Sequence, residues 1–265
     1  MFRKMFGKRE ASHEVALQRE RREPSFGDAP DTGPNAPVDT SRRTQSDLAD
    51  RGAEILHKLM ISHYTDDDGI HLETVLSAAA ACAGYQAQRA ALWLIATDQP
   101  EANAFPDVNE VATASGDLFV VSELVNQLLA SDADSDRLTV LKLVGSGGMR
   151  PGGTRLPDVT DIAARTDGAC GTENYPPLTV PPEHVPEENA RVALQRWWPV
   201  VTKIFSADEF RQVNPLDRML ALSAVTGRLI EAGQDAVDPD IAMQLAMETA
   251  WAMAKVTGIR SELPS

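Results

Sequence analysis

The sequence predicts a mainly α protein, a multi-helix globular domain carrying one small β-hairpin. Three observations predict it. Apolar residues recur at helical spacing through most of the chain after residue 46. Alanine is abundant while aromatic residues make up only 5%, so the helices should approach closely, because alanine favours helix and adds little bulk. Prolines and glycines also fall where helices start and stop, as at Asn214-Pro215, Asp238-Pro239, Gly233 and Gly258.

Charge divides the chain. Residues 1–46 hold nine Lys/Arg against seven Asp/Glu, whereas the remainder holds sixteen against thirty-two. An acidic body repels nucleic-acid backbone and anionic lipid, so no nucleic acid is predicted as a ligand. Residues 1–45 are rich in charge and then in proline (Pro24, Pro30, Pro34, Pro37). Such a segment buries too little apolar surface to offset its ordering entropy, and it reads as a disordered basic tail. Within it Phe2, Met5 and Phe6 sit at i, i+3 and i+4 beside Arg3, Lys4, Lys8 and Arg9. Residues 2–9 could therefore rest weakly on an anionic membrane interface, although an inert tail is favoured. No run approaches the roughly 18 apolar residues of a membrane span, and no secretory signal opens the chain. A bacterial, cytoplasmic protein is expected. Cys82 and Cys170 are too few for a disulfide framework and read as reduced thiols.

The helical domain is expected over 46–265. Ser46 is the predicted cap of a first helix over 47–63, with Ile55, Leu56, Leu59 and Met60 in phase. Asp66-Asp67-Asp68-Gly69 makes a turn, and Asp68 is placed to cap a second helix over 70–97. The bulk-free run Ala78–Gly84 in that helix invites a neighbour close. Two β-prone runs around Ser115-Gly116-Asp117 predict a hairpin over 108–121. Short helices follow after Ser122, over 136–144, and over 157–165 with Pro157 at its first position. The stretch 166–186, with five prolines, predicts a long surface connection, in either a single domain or two close lobes divided there. Pro186 opens a helix toward Trp197-Trp198, one ring for the core and one partly exposed, and Pro199 should kink or break it. Ser206–Glu209 has capping-box spacing. Helices over 215–231 and 239–256 complete the chain.

Few motifs carry chemistry. Gly145–Gly153 lacks the lysine of a phosphate loop, since Gly153 stands in its place, and it reads as a flexible connection. His57, His63 and His71 lie among Asp66, Asp67, Asp68 and Glu73, residue types that suit a metal, but the spacing is poor and no metal or cofactor is predicted. On the last helix Gln244, Glu248 and Lys255 form a narrow polar stripe. Were it buried, Glu248 would need a partner and become a site candidate; the solvent-facing alternative is favoured. Glu73 and Glu248 are the candidate catalytic residues.

The succession GIHLETVLSAAAACAGYQAQ, SGDLFVVSELVNQLL and VDPDIAMQLAMETAWAMAK resembles a family of uncharacterised bacterial proteins, over about residues 50–256. The resemblance implies no activity and transfers no functional residue. Two readings stay open: a non-enzymatic interaction or regulatory protein that uses an acidic helical surface on an unidentified protein partner, or an enzyme with a carboxylate-lined cleft. The first is preferred, because no catalytic constellation is present in the sequence.

Overall fold

The run Ala78–Gly84 has so little side-chain volume that helices close in on it from several sides, and all seven residues are buried. The computed structural model, which describes residues 40–67, 69–114, 116–131 and 135–259, sets this run in the central helix α2 (Leu72–Ala96). Among the described residues the fold is mainly α. Around α2 stand α1 (Thr40–His63), α3 (Glu123–Leu129), α4 (Val140–Met149), α5 (Val159–Ala169), α6 (Ala190–Ser206), α7 (Pro215–Ala232) and α8 (Pro239–Met253). α2 packs mainly on α7 and α8, and then on α6. A Cβ added at Gly84 would lie 2.0 Å from the Ala250 carbonyl oxygen, so α2 and α8 meet backbone to backbone.

A second contact of this kind corrects the expectation for the glycine-rich segment. Thr139 caps α4 by accepting from the Lys142 amide, and the helix runs on through Gly145, Gly147 and Gly148. A Cβ at Gly147 would sit 2.1 Å from the Gly227 carbonyl oxygen of α7. Close packing outweighs the poor helix propensity of glycine there.

Asn214 and Asp238 cap α7 and α8 as predicted, through the Asp217 and Asp240 amides, and Gly233 ends α7. α8 stops at Met253. Other boundaries shift. α1 begins at Thr40, so residues 40–45 are helical and Ser46 lies inside the helix; the rest of the tail, with residues 2–9, lies outside the described residues. Asp158 caps α5 through the Thr160 and Asp161 amides, which leaves Pro157 before the helix. Asn189 caps α6, which passes through Pro199 unbroken; the carbonyl that loses its partner there belongs to exposed Gln195. Ser206 ends α6 instead of opening a capping box. Trp197 and Trp198 are both buried, at 5% and 7% exposure, because α6 lies between α1 on one flank and α2 on another.

The predicted hairpin forms as β3 (Asn109–Ala112) and β4 (Leu118–Val121), with Glu110 opposite Val120. The far side of β4 is tied to the chain after α8, where the Val120 amide donates to the Lys255 carbonyl. A second, very small hairpin, β1 (Thr65–Asp66) and β2 (Gly69–Ile70), occupies the acidic turn. Asp68 lies outside the described residues, and His71 precedes α2 with no side-chain cap bond. Asp39–Ser265 is one compact unit. The connection after α5 is thus a strap across one core, and no division into lobes occurs there.

The glycines make a paired test. Gly84→Ala should destabilise the protein by about 3 kcal/mol, since two backbones would have to separate. Gly168→Ala, on α5 where an added Cβ meets nothing within 4 Å, should instead stabilise by about 0.5–1 kcal/mol. Urea denaturation of both variants measures the contrast.

Candidate functional site

The polar stripe on α8 turns inward, contrary to expectation. Glu248 is 1% exposed. Its Oε1 accepts from Arg165 Nη2 at 2.9 Å, from Gln244 Nε2 at 2.7 Å and from the Thr179 hydroxyl, while Oε2 accepts from the Thr179 amide at 2.9 Å. Arg165 is held in turn by Asp161 at 2.7 Å and by the Pro177 carbonyl at 3.0 Å. One carboxylate thus joins α8, α5 and the strap. Four donors, the Arg165 guanidinium among them, compensate the charge, as burial of a carboxylate requires. Lys255, 4% exposed beyond the end of α8, adds a second tie to α5 through Asp167 at 2.8 Å.

Glu73 does similar work at the start of α2. Its Oε1 lies 2.8 Å from His184 Nδ1 in the strap, and its Oε2 lies 3.7 Å from His71 Nδ1. The Thr74 hydroxyl contacts His71 Nδ1 at 2.9 Å and accepts from the Glu187 amide at 3.1 Å. Further along, Tyr175 donates to the Ala252 carbonyl and Tyr64 donates to Glu188. Burial and the Glu188 contact push the Tyr64 phenol well above its usual range. Both candidate catalytic carboxylates therefore anchor the strap. Neither stands free in a cleft.

The three histidines do not converge. His57 lies 3.9 Å from Glu54 on α1, and burial pulls its imidazole below the usual value. His63 packs edge-on against Trp197, with Nε2 3.1 Å from an Arg196 nitrogen. His71 belongs to the Glu73 cluster. Among the described residues no group of three or more His, Cys, Asp or Glu is placed to hold a metal ion. Cys82 and Cys170 form no disulfide, and burial pushes both thiols up.

A cleft of about 450 Å³ opens beside the Glu248 cluster, and Asp158, Asp161 and Asp240 are among the residues that line it. All three carboxylates are engaged. Asp158 caps α5, Asp161 binds Arg165, and Asp240 accepts from the Thr154 hydroxyl and amide, which hold its carboxyl below the usual range. Sequence reasoning missed Arg165, Thr179 and His184. Nothing local marks them except the Asp161–Arg165 spacing of one helical turn.

No family model, no curated protein and no solved structure matches the chain.

Glu248→Ala should cost about 3–5 kcal/mol of stability, because it leaves Arg165 and the Thr179 amide without their partner. The same change should open the strap to protease between residues 170 and 186. Denaturant titration and limited proteolysis measure the two effects; a carboxylate kept for catalysis alone would leave both unchanged.

Proposed function

We propose that this is a non-enzymatic interaction or regulatory protein. The observation that carries the reading is the occupation of Glu248 and Glu73, whose oxygens are committed to the strap and not presented to a substrate. The partner surface best supported is the edge of the hairpin. All four β3 residues are exposed, and β3 pairs only with β4 among the described residues. Val111 on β3, with Leu118 and Val121 on the adjoining β4, present apolar side chains on this hairpin, between 43% and 48% exposed. An exposed strand edge offers backbone donors and acceptors to an extended peptide, which can join as another strand. Asp107 and Glu110 beside it favour a segment carrying Lys or Arg.

The enzyme reading has a place to work, the cleft with Asp158, Asp161 and Asp240, but each of those carboxylates is bonded within the fold. A photo-crosslinking residue at Val111, compared with one at exposed Arg211, tests the interaction reading in cells. A discrete adduct from position 111 and none from position 211 is expected. Equal labelling from both positions, or none from 111, would remove the strand edge as the partner surface.

A further inference from the structure

A cleft of about 580 Å³ lies between the second half of α2, the second half of α6 and the start of α7. Its volume is that of a small-molecule site. Tyr85, Arg89 and Trp93 come from α2, one helical turn apart along a single face. Trp198 and Phe205 come from α6, and Arg218 from the first turns of α7. The Tyr85 and Trp198 rings meet edge to face with centroids 4.6 Å apart, which gives the cleft a firm aromatic wall.

Its charge is opposite to that of the chain. Asp and Glu outnumber Lys and Arg by 39 to 25 overall, yet among the described residues no carboxylate lines this cleft. Three other clefts carry two or three carboxylates each. Arg89 is exposed and has neither an ion pair nor a hydrogen-bond partner among the described residues. Arg218 is fixed but not neutralised. Its Nε–H donates to the Val213 carbonyl at 2.9 Å, an Nη2–H reaches the Phe205 carbonyl at 3.4 Å, and its guanidinium lies 5.2 Å from the Phe205 ring centroid. A guanidinium has five N–H donors, so three remain on a group already held in place. Burial lowers the affinity of Arg218 for its proton, the usual consequence for a cation without a counter-ion.

Two uncompensated guanidinium groups beside aromatic walls ask for an anion attached to an apolar body. Bidentate geometry matches a carboxylate to such a group. We propose that this cleft binds a small organic carboxylate with an aromatic or aliphatic body, its charge met by Arg89 and Arg218 and its body set against Tyr85, Trp93 and Trp198. The cleft and the hairpin share no residue, so this site stands or falls separately from the strand edge.

Titration calorimetry on the full chain at low ionic strength, with 2-naphthoate, 2-naphthol and inorganic phosphate as probes, tests it. Saturable binding of 2-naphthoate is expected, with 2-naphthol at least tenfold weaker and phosphate unable to displace the naphthoate at equal concentration. Arg89→Gln should weaken naphthoate binding at least tenfold and leave the melting temperature unchanged, since Arg89 supports nothing in the fold. Trp93→Ala should weaken naphthoate and naphthol alike. Arg218→Gln is the weaker test, because Arg218 also binds two backbone carbonyls. Absence of naphthoate binding, equal affinity for naphthol, or an unchanged affinity in Arg89→Gln would each overturn the proposal. Displacement by phosphate alone would show a site that reads only charge, which overturns it as well.

Discussion

At Gly84 and Ala250 two helix backbones stand so close that no side chain fits between them, and the arrangement of the other helices follows from that contact. Helices so near bury one another almost completely, which is why α2 and α8 are apolar on nearly every face. The Gly147–Gly227 contact repeats the device between α4 and α7. α7 also packs along α2, so the two close contacts are joined through the packing of α7 on α2. Alanine fills most of the run Ala78–Ala83 of α2 and recurs on α8, where the close approach leaves room for little else. The large rings of α6 fill the spaces beside α1 and α2.

The strap between α5 and α6 sets Val180 into the core and packs Tyr175 and Leu178 against it, and polar points fix its course: Glu248 to Thr179, Tyr175 to Ala252, His184 to Glu73 and Glu188 to Tyr64. Each of these reaches an element far away in sequence. A buried carboxylate with all its donors present adds little net stability, yet removing one member is costly. Such contacts set where the strap lies more than how tightly it is held.

The features of this architecture legible in the sequence are those written in neighbouring residues. Asn214-Pro215 and Asp238-Pro239 mark helix starts because cap and proline act within one turn. Ala78–Gly84 announces a close approach because side-chain volume is a local property. The Gly145–Gly148 segment was illegible for the opposite reason, since its helical state depends on α7, about 80 residues away. Glu248 is the clearest case. On its own helix it reads as a solvent-facing glutamate, and only Arg165 and Thr179, 83 and 69 residues earlier, make its burial tolerable. The strap likewise reads as a lobe boundary until its anchors are placed.

α5 is secured to the core by few apolar contacts. Only Ile162, Thr166 and Ala169 of its eleven residues are buried, and polar ties to Glu248 and Lys255 hold it to α8. The strap that follows shares the Glu248 tie through Thr179 and Arg165. With these ties shared, α5 and the strap are expected to open as one unit, at a free energy below that of global unfolding. Their amides should exchange with solvent as a group, in native molecules whose helical core stays closed.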